Sequence, residues 1–342
     1  MDPETHELDH DAAEAQRPID AEGGLLHALL LSGEVCTLES ASAINFENLA
    51  DLPLPAWIHL DRTKEPAQRW LRERSGLDPL VCEALLEENT RPRASERRSG
   101  LLAIFRGVNL NPGAEPDELI SIRVWVDADR IITLRQHHFH VVSELRRSIR
   151  AGQFATTPMG VLVALATGLS ADLGPVVENL QMLIDDSEDC LSEEQPHLVS
   201  VRDLAIVRRQ AITLRRYLAP QRDTLMHLLS SPAIEGRYRA ELIECADRTS
   251  RFVEDLEEVR DRAAVSQEEL RAQRELRSAR VMYMLTLVAA VFLPLTFVTG
   301  LLGINVGGIP GDSDPLAFWI VTILLIGVGV CIVVLFKRLR WL

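Results

Sequence analysis

Lysine is almost missing from this sequence. Lys64 and Lys337 are the only two among 36 basic residues, a bias that reads as genomic composition rather than function. A positive balance is missing too: the 342 residues carry a formal charge of −14, which argues against a nucleic acid partner, because phosphate contacts need a basic face. The five cysteines, at 36, 82, 190, 245 and 331, form no CxxC pair. That excludes a zinc knuckle and an obvious disulfide frame, and fits a reducing cytosol. No phosphate-binding GxxxxGK[ST] loop, HExxH helix or nucleophile–base grouping occurs, so neither an enzyme nor an ATP-driven pump finds support. The N-terminus lacks the basic and apolar regions of a signal peptide. Charge itself is absent from two long stretches near the C-terminus, Val281 to Leu302 and Leu316 to Phe336.

What is present divides the chain into segments. Residues 1–22 hold eight acids and one base, Arg17, and read as a disordered acidic tail whose His6 and His10 are solvated. Residues 23–157 mix two periodicities. "LLHALLL" (25–31), "AWIHLD" (56–61), "LLAIFRGVNL" (101–110), "ISIRVWVD" (120–127) and "RIITLRQ" (130–136) predict strands, the last two joined in a hairpin. "PAQRWLRERSG" and "DPLVCEALLEE" predict helices between them, so this segment is an α/β domain. Residues 158–236 predict an acidic helical hairpin, whose tip holds Asp185, Asp186, Glu188, Asp189, Glu193 and Glu194. Residues 237–280 form the cytosolic part of a long stalk helix. Its seam is Leu242, Cys245, Thr249, Phe252, Leu256, Val259, Ala263 and Leu270. No proline or glycine interrupts it before Pro294, so it runs on without a break.

The charge-free stretches predict two transmembrane helices, at 281–302 and 316–336, each long enough to cross the hydrocarbon (~33 Å for the first). They are joined by a loop at 303–315 and followed by a basic tail at 337–342. Arg271, Arg274, Arg277 and Arg280 precede the first span, and Lys337, Arg338 and Arg340 follow the second; the loop has only Asp312 and Asp314. The positive-inside rule then puts both termini in the cytoplasm.

Two spans cannot enclose a pore, so a path across the bilayer needs several copies around an axis. Gly300, Thr296, Leu293, Ala289, Thr286 and Met282 fall at steps of four and three and make a small, partly hydroxylated stripe. It suits either a pore wall or close helix packing. Asn305, in "TGLLGINVGGIPG" (299–311), suits either a helix cap or a ring of amide oxygens that hold an ion's waters without trapping the ion.

"FLPLTFVTGLLGINVGGIPG" (292–311) resembles the end of the first transmembrane helix in the CorA metal-ion transporter family. There Pro-Leu-Thr-Phe leads to a Gly-Met-Asn signature, matched here by Gly303, Ile304 and Asn305. The Met-to-Ile change and the following "VGGIPG" resemble the family's ZntB branch, its zinc transporters. The resemblance covers the whole architecture. It implies a homopentameric funnel in a bacterial inner membrane, with the long helices lining the pore and Gly303, Ile304 and Asn305 as the selective outer mouth. Lys337, Arg338 and Arg340 then contribute to a basic collar.

The partners expected are further copies of the chain, the bilayer and divalent metal ions. No bound cofactor is expected; Zn²⁺ is the cargo, with Cd²⁺, Ni²⁺, Co²⁺ or Mg²⁺ as alternatives. Zinc rests on the resemblance alone, because the first span contains no His or Cys. Candidate cytosolic ligands are His137, His138 and His140 in "RQHHFHVV", and Cys190 with Asp185, Asp186, Glu188 and Asp189. The plainer reading is an exposed strand end for the histidines and a solvated helix tip for the acids. A different class of function, a membrane-anchored coiled-coil oligomer without a pore, fits the same helices.

The orientation has a direct check. In a cysteine-free background, Asp312→Cys is expected to react with an impermeant thiol reagent from outside, and His10→Cys only after permeabilisation. The reverse pattern would invert the topology.

Overall fold

The computed structural model describes residues 22–31, 45–49, 52–88, 90–115, 117–152, 157–192, 199–234, 236–303 and 316–338. They divide into two compact units, within residues 1–267 and 268–342.

In the first unit, alternation of apolar side chains builds a six-stranded sheet. Its strands are β1 (Leu25–Leu30), β2 (Ala56–Asp61), β3 (Arg93–Arg97), β4 (Gly100–Val108), β5 (Leu119–Val126) and β6 (Arg130–Arg135), in the order β1-β2-β6-β5-β4-β3. β2 and β6 pair in parallel; the other neighbours are antiparallel. The five strands expected from the sequence are all present, and the expected β5–β6 hairpin closes on Asp127, whose Oδ1 accepts from the amides of Asp129 and Arg130 at 3.1 and 2.9 Å. The strand that pattern reading missed is β3, "RASER". It has no buried apolar row, and it lies at the sheet's edge, where charged side chains discourage pairing with another sheet.

Helices cover both faces of the sheet. On one face lie α1 (Glu65–Glu73) and α2 (Pro79–Leu86), with Trp70, Leu71, Val81 and Leu85 packed on Leu60, Leu102, Trp125 and Ile132. On the other lie α3 (His140–Arg150) and α4 (Pro158–Ala171), where Val142, Leu162 and Leu169 meet Phe105, Ile122, Val124 and Ile131. β5 shows the period of two: Ile120, Ile122, Val124 and Val126 enter the second core, and Trp125 the first. Arg123, fully buried on the same face as Trp125, caps the end of α2. Its guanidinium donates to the Glu87 carbonyl at 2.7 Å, to the Glu88 carbonyl at 3.3 Å and to Ser121 Oγ at 2.9 Å. Burial lowers its pKa to about 10, still high enough to keep the charge at neutral pH.

α4 belongs to this sandwich, although the sequence groups it with the hairpin. A Cβ at Gly168 would stand 2.6 Å from Val141 Cγ1, so the glycine is what lets α4 lie close to α3. The hairpin proper is α5 (Gly174–Ser192) with α6 (Val201–Leu229), and both start their packing from capped or glycine-opened ends; Ser200 Oγ accepts from the Arg202 amide at 3.1 Å. α7 is one helix from Gly236 to Leu302, 67 residues. Within the first unit it buries Leu242, Cys245, Ala246, Thr249, Val253, Leu256, Val259 and Ala263. Of the expected seam, Phe252 is only half-buried, and Val253 takes the inward position beside it.

The second unit contains the rest of α7 and α8 (Ala317–Arg338). Among the described residues, three helical stretches are long and apolar enough to cross a membrane: Pro158–Ser192, Gly236–Leu302 and Phe318–Arg338. Burial separates them. The apolar window of the first is 61% buried inside the protein, whereas those of the other two, with mean hydropathies of 2.3 and 3.0, have none of their residues buried. An apolar helix with no residue of its apolar stretch buried fits hydrocarbon as its surroundings.

Four described cysteines are free: Cys82 and Cys245 are buried, Cys190 is half-buried and Cys331 is exposed on α8. Burial pushes the thiols of Cys82 and Cys245 upward.

The β4–β5 register is tightest at Gly100, where a Cβ would collide with the Val126 carbonyl oxygen and stand 2.7 Å from the Trp125 ring. Gly100→Ala is expected to destabilise the first unit by roughly 1–3 kcal/mol, as overpacking does. Thermal unfolding of the full-length protein measures it; an unchanged midpoint would contradict this register.

Candidate functional site

The C-terminal part of α7 carries no charge and no histidine from Val281 to Leu302. Its two faces differ. Leu287, Val291, Pro294, Leu295 and Val298 are partly covered. On α8 the partly covered residues are Val321, Thr322, Leu325, Gly329, Ile332 and Phe336, also a single face. The helices come close at Gly329, whose added Cβ would stand 3.9 Å from Leu295 Cδ1. The stripe of Met282, Thr286, Ala289, Leu293, Thr296 and Gly300 lies elsewhere, and every member is exposed, Leu293 to 75%. Within one chain, then, α8 contacts the bulkier face and leaves the small stripe open.

Polar groups on this segment are quiet. The Thr286 hydroxyl donates to the Met282 carbonyl at 2.9 Å and that of Thr299 to the Thr296 carbonyl at 3.0 Å, so neither donor is left bare in an apolar medium. Pro294 lies inside the helix and has no amide, which removes the usual donor to the carbonyl of Ala290. The helix ends as the Gly303 amide donates to the carbonyls of Thr299 and Gly300 at 2.9 and 3.2 Å. Ile304 and Asn305 lie outside the described residues, as do Arg340, Glu193, Glu194 and the acidic tail with His6 and His10. Lys337 and Arg338 occupy the last turn of α8, where positive charge suits the helix dipole.

The cytosolic candidates do not gather. β6 ends at Arg135, His137 and His138 lie in the connection, and His140 opens α3, so the expected strand end is a strand-to-helix junction. Local pattern hid this helix, because its apolar residues Val141, Val142, Leu145 and Ile149 are few and its remaining positions polar. His138 Nε2 is 2.9 Å from Ser143 Oγ, and burial with Arg135 nearby lowers its pKa. His140 Nε2 lies 3.6 Å from Glu144 Oε1, both exposed.

Of the acids expected at a tip, Asp185, Asp186, Glu188 and Asp189 belong to the last two turns of α5, which continues to Ser192. Negative charge there opposes the helix dipole. Arg262 of α7 offsets it, a partner that sequence reasoning missed. Its guanidinium donates to Asp185 Oδ1 at 2.5 Å and to both Glu188 oxygens at 2.6 and 3.1 Å. These bonds raise the Arg262 pKa further. Two of the candidate ligands are therefore occupied by a cation already. Among the described residues, no three His, Cys, Asp or Glu side chains are arranged to hold a metal ion.

A family model described as "CorA-like Mg2+ transporter protein" matches residues 55–338, which take in β2 to β6, the hairpin, the stalk and both apolar helices together. The chain belongs to this CorA-like family. Among its curated relatives, the "Divalent cation transporter CmaX" of Pseudomonas aeruginosa is 37% identical over 335 residues, covering 94% of this chain and 98% of that protein. The "Zinc transport protein ZntB" of Pectobacterium carotovorum is 33% identical over 321 residues, covering 93% and 96%. The solved structure of full-length CmaX superposes with a TM-score of 0.75 at 36% identity, over 94% of this chain and 99% of that one. The CorA-like resemblance drawn from residues 292–311 thus holds across nearly the whole chain.

Arg262 gives this family member a measurable tie between α5 and α7. Arg262→Gln is expected to cost roughly 1 kcal/mol at low salt and less at molar salt, since the pair is partly exposed and screened. Thermal unfolding at two salt concentrations checks it; equal losses in both would show that packing, not charge, is what Arg262 supplies.

Proposed function

We propose that the chain moves divalent metal cations, zinc foremost, into the cytoplasm through a central pore made by five copies. The observation that carries this is the uncovered stripe. Met282, Thr286, Ala289, Leu293, Thr296 and Gly300 run the length of a charge-free span and are exposed while α8 contacts another face. Further copies of α7 closing on that stripe would give a narrow wall with no fixed charge. Such a wall suits an ion that keeps its waters, because a carboxylate ring would hold a divalent cation too tightly to release it.

Asn305, next to the end of α7, would form the outer ring, flanked by Gly303 and Ile304. Lys337, Arg338 and Arg340 would form the basic collar at the inner end. Both termini and the sheet domain are assigned to the cytoplasm of a bacterium, with the 303–315 loop outside its inner membrane. A membrane potential of 100 mV then gives a divalent ion ~4.6 kcal/mol on entering. That drives roughly thousandfold accumulation. Relatives named for zinc and for divalent cations match over similar lengths and identities, so the named cargo of one supports zinc and that of the other a broader range. The second reading is a Mg²⁺, Co²⁺ or Ni²⁺ channel, for which the family's description supports the Mg²⁺ part. Proton coupling would draw on groups outside the spans, which hold no acid or histidine.

Flux into liposomes tests this, with zinc and magnesium compared, with and without a pH gradient. Asn305→Leu is expected to reduce uptake to that of protein-free vesicles while the oligomer stays intact. Ile304→Met is expected to shift preference from zinc towards magnesium. Wild-type uptake by an assembled Asn305→Leu protein would remove Asn305 from the pathway. An unchanged metal ratio in Ile304→Met would place selection elsewhere.

A further inference from the structure

Two histidines that sequence reasoning passed over lie in the middle of apolar strands. His27 on β1 is in register with His59 on β2, and His59 with Thr133 on β6. The three form one lateral row on the sheet face that α3 covers. His27 and His59 are 2% and 1% exposed, and their rings stack with centroids 4.8 Å apart. Trp57 closes one side, edge-on to His27 at 4.5 Å. Burial, with Arg135 and Arg146 nearby, drives both imidazole pKa values well below the ordinary range, so both rings are neutral at physiological pH.

Thr133 Oγ1 lies 2.8 Å from Trp57 Nε1, 2.6 Å from His59 Nδ1 and 3.4 Å from the Ile58 carbonyl. The indole can only donate, so the hydroxyl oxygen accepts from it. Two arrangements keep the 2.6 Å bond: Nδ1–H donates to the hydroxyl, which donates on to the Ile58 carbonyl, or the hydroxyl donates to Nδ1 and the His59 proton sits on Nε2. His59 Nε2 is buried with no partner among the described residues, as are His27 Nε2 and Arg146 Nε.

These side chains line one small cavity of about 30 Å³, bounded by Leu26, Val142 and Ser143 and by the nitrogen-bearing His27, His59, Arg135, His138 and Arg146. It has room for an occupant the size of one or two waters. No carboxylate lines it; Asp61 touches it only through its charge on Arg135. A cation is disfavoured, because Arg135 and Arg146 both line the cavity. A water would meet many donors and few acceptors.

We propose that this cavity binds a small monovalent anion of chloride size, held by the Arg146 and Arg135 guanidinium groups and by His59 Nε2–H, in the tautomer in which the Thr133 hydroxyl donates to Nδ1. The anion satisfies buried donors that are otherwise unmet and offsets two like charges between β6 and α3. It would make the fit of α3 on the sheet depend on the anion present, a property separate from metal transport.

Crystals of the full-length protein grown with bromide replacing chloride test the site directly. An anomalous bromide peak in contact with His59 Nε2 and Arg146 is expected; a water-only cavity at the same salt would overturn the proposal. In detergent, at fixed ionic strength, the melting temperature of wild type is expected to be about 4 °C higher in chloride than in gluconate. Arg146→Gln should abolish that difference. Arg147→Gln, an exposed neighbour on α3 that does not line the cavity, should retain it. Equal melting in both salts for wild type, or equal loss in both variants, would refute the anion site whether or not Arg146→Gln folds well.

Discussion

Hydrocarbon offers a polar group no partner, and that one constraint governs the C-terminal third of the chain. It requires the backbone of α7 and α8 to be helical, because only a helix bonds its own amides within one segment. It requires the hydroxyls of Thr286 and Thr299 to turn back onto their own helix, as they do. It also keeps Asp, Glu, His, Lys and Arg out of both spans. On the transport function proposed above, ion recognition would fall beyond the apolar length, and a pathway would come from surfaces that several chains share.

The soluble unit meets the same cost by the opposite route. Its core admits polar groups and supplies partners for most of them. Arg123 is buried among backbone carbonyls, and Arg106 donates to the carbonyls of Leu119 and Thr90 while its guanidinium stacks on Tyr217. Neither uses a buried carboxylate. These arginines tie the segment after α2 to the sheet at positions where an apolar side chain would leave carbonyls unpaired. The His27–His59–Thr133 row is a second polar cluster in this core, with the Nε2 atoms of both rings unpartnered among the described residues.

Much of this was legible in the sequence because the signals were periodic. β4, β5 and β6 alternate or run apolar over their lengths, and the spans are charge-free runs long enough to cross a bilayer. β3 and α3 were not legible for a shared reason. "RASER" and "HVVSELRRSIR" are placed by what packs beside them, and their own apolar content is too thin to declare it. The acids of α5 misled in another way: their number was plain, but Arg262 lies 77 residues from Asp185 and no local pattern could pair them. Gly303, Ile304 and Asn305 spoke through family resemblance alone. The family match supports that resemblance without assigning the cargo.

The distribution of thiols has a practical side. Cys82 and Cys245 are buried, and Cys331 projects from an apolar helix, so among the described cysteines only Cys190 is partly open to an aqueous reagent. It sits on the acidic end of α5, the stretch that Arg262 holds to the stalk. Once Cys36 is replaced, the native chain offers a near-solitary attachment point for a fluorophore or spin label. The probe would report on the hairpin from within, without an engineered cysteine.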